Sequence, residues 1–280
     1  MWFSRVAHTS RGSHRVACDM VAMTPAEIAA SVAPFTAGFT ALLVLSLLLL
    51  APRTAFEKGK RKQCKWDERV FYSTMVVSLT HGCAAAVTAA MTGLEAGLWP
   101  LAAPWDLHAT SDATILCISL FIGYLLADLV PLFYYRTVWP GTGMYIGHHV
   151  ASILSWGSCL LLGTCHCVAV ALMLCEATAP FVNGRYFLST HGLKDSPLYA
   201  INGVMMALSF LVVRVVGMGL VGFKVFILGR SSFFALHPAQ TAILLPIFVF
   251  GYGLQLTWFQ RIVTGLVAFL RPPKDPKKAS

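Results

Sequence analysis

Charge is what this sequence has least of. Lysine, arginine, aspartate and glutamate make up 12% of its 280 residues, about half the ~25% that a water-facing surface ordinarily carries. That shortage excludes a soluble all-helical bundle, because too few polar faces exist to solvate its helices. The deficit runs along the whole chain, so a soluble domain on one membrane anchor is excluded as well. Acidic residues are scarcer still: 12 stand against 21 lysines and arginines, for a formal net charge of +9. No basic segment interleaved with aromatics accompanies the excess, so nucleic acid is not an expected partner. HExxH and spaced histidine boxes are missing too. A metal set of His148, His149 and Asp128 or Glu176 has no motif behind it, and no metal is expected.

What is present is apolar. Hydrophobic residues account for 57% of the chain and the mean hydropathy is +0.69. Runs of about 20 apolar residues recur, each long enough to cross a bilayer as a helix. The expected fold is an all-α polytopic membrane protein with about seven spans. They lie near residues 32–51, 70–92, 113–135, 144–162, 166–188, 198–221 and 240–260, the last continuing to Leu270. Residues 1–30 read as an N-terminal tail, 31–268 as the transmembrane domain and 269–280 as a basic tail. Arg5, Arg11 and Arg15 with the single acid Asp19 give the first 22 residues the composition of a mitochondrial presequence. The other reading is an upstream start, with Met23 opening the protein. Thr24, Pro25 and Glu27 have the pattern of a capping box with proline at the first helical position.

The positive charges lie between the spans and orient them. Arg53, Lys58, Lys60, Arg61, Lys62, Lys65 and Arg69 crowd the loop after the first span. With that loop cytosolic, fifteen lysines and arginines fall on its side and five on the other, with Arg214 inside a span. The N-terminus is then lumenal and the C-terminus cytosolic. The final Lys277-Lys278-Ala279-Ser280 resembles a dilysine retrieval signal, a receptor-read address. It points to the endoplasmic reticulum, with a mitochondrial membrane as the alternative. Most of the eight cysteines fall in or beside spans, where they pack as small apolar residues.

A charged group in a bilayer costs ~2.5–3.5 kcal/mol on insertion scales, so each one is a candidate functional residue. His81, Asp128, His148, His149, Glu176 and Arg214 lie inside spans, and Asn183, Arg185 and Asn202 lie near span ends. All but Arg214 map to the midplane or the cytosolic half, which predicts one polar cavity opening towards the cytosolic leaflet. Ser78 shares a helix face with His81, Tyr124 with Asp128, and His148 with Ser152. The expected lining is Ser78, His81, Tyr124, Asp128, His148, His149, Ser152, Glu176, Asn183, Asn202 and Arg214. Asp128 or Glu176 is placed to orient a histidine for acid–base or acyl-transfer chemistry. If the chain is an enzyme, its catalytic candidates are His148, His149 and Asp128. The plainer reading is that each polar residue ties two helices by a hydrogen bond.

Five motifs in order on successive spans carry a resemblance. They are Trp66…Arg69-Val70…Ser78…His81, then Gly123-Tyr124…Asp128, then Met144…His148-His149…Ser152. Glu176…Pro180-Phe181-Val182-Asn183…Arg185 and Ile201-Asn202-Gly203 with Arg214 follow. Together they resemble the TLC domain family, which includes ceramide synthases, translocon-associated membrane proteins and lipid-sensing proteins of the endoplasmic reticulum. The resemblance implies a barrel of six spans, built as an inverted repeat around a lipid-accessible cavity, with the first span peripheral. It also implies that His81, Asp128, His148 and His149 are cavity polar groups. The synthases carry a second His-Asp-x-x-Asp element in the span after the paired histidines. Here that place holds Glu176-Ala177-Thr178-Ala179-Pro180-Phe181, which counts against ceramide synthesis.

Two functions stay open. One is a lipid sensor, carrier or regulator of membrane lipid composition, and the other is an acyl-CoA-dependent N-acyltransferase of ceramide-synthase type. No cofactor is expected, and acyl-CoA enters only as the substrate of the second. The expected partner is a membrane lipid, with a sphingolipid or a fatty acyl chain as candidates. An oligomer or a membrane-protein partner is not identified by any motif.

Overall fold

Thr24 and Glu27 form the reciprocal cap that their spacing predicts. In the computed structural model of the chain, the Thr24 amide donates to Glu27 Oε2 at 2.9 Å and the Glu27 amide donates to Thr24 Oγ1 at 3.3 Å. The structure describes residues 22–57, 60–98 and 105–270. The presequence-like stretch and the dilysine tail lie outside the described residues. Helix α1 therefore begins at Pro25 and runs to Leu49, a full two turns earlier than the apolar run alone suggests.

Six more long helices follow: α2 (Trp66–Glu95), α3 (Asp112–Tyr134), α4 (Thr142–Leu162), α5 (His166–Thr190), α6 (Pro197–Leu228) and α7 (Pro238–Leu270). Among the described residues six helices, all but α4, are long and apolar enough to cross a membrane. Helix α4 has 21 residues, sufficient in length for ~30 Å at 1.5 Å per residue. Its lower hydropathy comes from His148, His149, Ser152, Ser155 and Ser158. It touches α1, α3, α5 and α7.

The basic loop is not irregular, as its composition suggests. Thr54–Glu57 (β1) and Lys60–Gln63 (β2) pair antiparallel, and β1 leans on α5. Turns at the other end are tight. Gly163, at φ 60°, closes α4, and Cys165 takes the same left-handed conformation before α5.

Helices α2, α3, α4, α7, α6 and α5 touch in that order, and α5 returns to α2, so six helices form a closed ring. Helix α1 stands outside it against α2 and α3. Gly123 permits that approach, because a Cβ there would meet Phe35 Cβ and the Thr36 backbone. Large apolar side chains such as Leu48, Leu94, Val130 and Leu208 are exposed around the ring, as lipid-facing residues are.

Candidate functional site

Two of the helices lose α-helical regularity where their charged residues sit. Pro180 has no N–H to offer the Glu176 carbonyl. The Ala179 N–H takes its place, and Leu174–Thr178 winds as a 3-10 turn. Helix α2 closes on this turn at Gly82, where any Cβ would collide with Ala179. In α6, Phe210–Gly217 widens into π turns, which recur at functional positions. Arg214 lies on that segment and reaches the 3-10 turn of α5. Its Nη2 donates to Glu176 Oε1 at 3.3 Å, its Nε to Thr178 Oγ1 at 2.8 Å and its Nη1 to Gln255 Oε1 at 3.2 Å. The depth expectation set Arg214 apart from the other polar residues. The structure joins it to them, because α6 continues to Leu228 and leaves Arg214 near mid-helix.

Beside this network a chamber of about 100 Å³ opens between α4, α5, α6 and α7. Its polar end is formed by His148, Ser152, Glu176, Arg214 and Gln255. The rest of its wall is mostly apolar, with Leu172, Val225, Phe226, Leu244 and Phe248, and includes Ser155 and Trp156. A mostly apolar wall with a few convergent polar groups is the chemistry of a small-molecule site, here in a volume smaller than the usual ~300–1,000 Å³.

The remaining predicted residues lie outside the chamber wall. Adjacent histidines on a helix diverge by ~100°, so His148 faces the chamber and Trp258 of α7, 5.8 Å away, while His149 faces α3. There His149 Nε2 sits 3.0 Å from Asp128 Oδ2, with both side chains nearly buried. His81 is fully buried and lies flat on Tyr124, ring centroids 3.8 Å apart. Phe121 and Phe39 meet it edge-on. Among the described residues neither of its ring nitrogens has a hydrogen-bond partner. Phe39 comes from α1, so the peripheral helix seals this stack. Asn183 donates to Ser78 at 3.2 Å and ties α5 to α2. Asn202 donates to the Phe181 carbonyl at 2.9 Å and ties α6 to α5. Arg185 is bound to the Tyr199 hydroxyl.

One predicted cavity is therefore two structures: a chamber on one side of α4 and a buried polar cluster on the other. Ser78, His81, Tyr124, Asp128, His149, Asn183 and Asn202 lie in this cluster and in helix ties and not on the wall of the α4–α7 chamber. The physical reason is their direction around each helix. Spacing gives a residue's height in its span but not the neighbour it faces. Thr178, Gln255 and Trp258 were not anticipated. Gln255 had a usable signal, being a strongly polar residue in an apolar span.

The model of the TLC domain family matches residues 65–264, which is α2 to α7 without α1. TLC domain-containing protein 4 of Homo sapiens is 29% identical over 161 residues, covering 56% of this chain and 57% of that protein. TLC domain-containing protein 4 A of Dictyostelium discoideum is 29% identical over 169 residues, covering 59% and 62%. TLC domain-containing protein 4-A of Xenopus laevis is 31% identical over 158 residues, covering 55% and 56%. The chain spans a little over half the length of the curated relatives it matches. No solved structure matches.

Proposed function

This chain belongs to the TLC domain family, and from that premise we propose that it holds a membrane lipid in the α4–α7 chamber as a sensor, carrier or regulator of lipid composition. We assign it to the endoplasmic-reticulum membrane. One observation carries the non-catalytic reading. His149, the histidine with an orienting carboxylate, does not line the chamber. His148, which does, has no carboxylate at hydrogen-bond distance among the described residues. A nucleophile or general base needs the base, its orienting group and the substrate on one line. The second acid, Glu176, is engaged by Arg214 instead.

The His149–Asp128 pair favours the second reading, an acyltransferase, since a carboxylate on one ring nitrogen orients an imidazole and fixes its tautomer. One experiment separates the two. Mass spectrometry of lipid retained by the protein in mild detergent is expected to find a bound lipid. The same preparation, given acyl-CoA and a sphingoid amine, is expected to form no amide. Amide formation that disappears in His149→Ala would establish the acyltransferase in its place. Absence of any retained lipid would remove the chamber reading.

A further inference from the structure

Ser155 is 4% exposed, and its hydroxyl has no hydrogen-bond partner among the described residues. The indole N–H of the next residue, Trp156, is buried and equally without a partner. Both residues line the chamber. Ser158, one turn on, returns its hydroxyl to the Ser155 carbonyl at 2.7 Å, whereas Ser155 shares its lack of a partner among the described residues with Ser46 of α1. A buried polar group left without a partner is costly and calls for an explanation.

Position supplies one. His148, Ser152 and Ser155 stand at i, i+4 and i+7, one face of α4, and all three line the chamber. The stripe extends ~10 Å from the His148 and Arg214 end, at 1.5 Å per residue. The other lining residues include Val225, Phe226 and Leu244, with only the weakly polar thiols of Cys159, Cys165 and Cys175 beside them. A buried water needs two to four polar partners, and that wall supplies few. A plain hydrocarbon chain laid there would leave both donors desolvated. We infer that the chamber takes an acyl chain bearing a hydroxyl in mid-chain, its head at Arg214 and His148 and its hydroxyl against Ser155 and Trp156. This rests on the proposal that the chamber holds lipid.

The test compares octadecanoic acid with its hydroxy derivatives, the hydroxyl moved carbon by carbon along the chain, in competition binding to the full chain in mild detergent. A mid-chain isomer is expected to bind roughly tenfold more tightly than octadecanoic acid, the scale of one buried hydrogen bond. Ser155→Ala with Trp156→Phe should abolish that preference, bringing the mid-chain isomer to the same affinity as octadecanoic acid within that variant. Ser158→Ala, whose hydroxyl is already engaged, should retain it. Equal binding of all isomers by the unaltered protein overturns the inference while leaving the chamber's lipid in place. A preference that survives the double variant overturns it as well. If no chain binds, the inference and the proposal beneath it fall together.

Discussion

Asp128 and Glu176 each rely on a single basic partner, His149 at 3.0 Å and Arg214 at 3.3 Å. Arg214 is the more heavily used of the two bases, because its guanidinium also holds Thr178 and Gln255 and so joins α5, α6 and α7. Removing one member of a buried pair strands the other charge, which typically costs ~3–5 kcal/mol, whereas neutralising both costs far less. Arg214→Gln should therefore lower the thermal unfolding temperature in mild detergent more than Arg214→Gln with Glu176→Gln does. Strictly additive effects of the two substitutions would show that the pair carries no coupling. Asp128→Asn should be milder than His149→Ala, since asparagine removes the charge yet still bonds the imidazole, whereas alanine leaves a buried carboxylate alone. Neither should release lipid from the chamber without also lowering stability. His148→Ala should weaken lipid retention with little loss of stability. Retention that follows His149 rather than His148 would assign the lipid to the other side of α4.

The helices meet at their irregular turns. The 3-10 turn Leu174–Thr178 and the π segment Phe210–Gly217 face each other, and each carries one member of the Glu176–Arg214 pair. Helix α2 reaches the 3-10 turn only because Gly82 has no side chain. Gly82→Ala should cost ~1–3 kcal/mol of stability by overpacking, while Gly38→Ala, inside α1 with open space around it, should raise stability by up to ~1 kcal/mol. Thermal unfolding of the two variants side by side is the check, and equal effects would refute the close approach. Proline at 180 announced a disturbance in the fifth span, and the capping residues at 24, 25 and 27 announced where α1 begins. These are local signals read from adjacent residues. The π turns of α6, at Phe210–Gly217 and Phe223–Leu228, had no such signal in adjacent residues. The separation of His148 from His149 was legible as an angle, while the choice of helix facing each one was a tertiary fact. Height in the membrane is a one-dimensional quantity and can be counted along the chain. Direction around the helix needs the neighbours.

At the scale of the molecule, α1 starts beside the α4–α5 turn, where the Met23 amide donates to the Leu160 carbonyl at 3.1 Å. The basic hairpin of β1 and β2 lies at the other end, where Pro52, Lys62, Trp139 and Thr190 border a common cleft. If all seven helices cross, the start of α1 and the end of α7 lie on opposite sides, and the excess of lysine and arginine then predicts a cytosolic hairpin. The dilysine tail is then readable by a cytosolic receptor. Lys277→Ser with Lys278→Ser should let the protein leave the endoplasmic reticulum, as followed by imaging, and an unchanged location would remove the retrieval reading. The orientation itself is testable without that signal. An Asn-x-Ser acceptor is glycosylated only where it faces the lumen. Placed after Ser280 it should remain unmodified, and placed in the loop of residues 100–110 it should gain a glycan, seen as a mobility shift that an endoglycosidase reverses. The loop site and the tail site must differ in sign, because α3 to α7 carry the chain across five times between them. The opposite pattern would invert the whole molecule and place the basic hairpin in the lumen. Modification at both sites would mean that one helix does not cross, and α4, the least apolar of the seven, would be the one to examine.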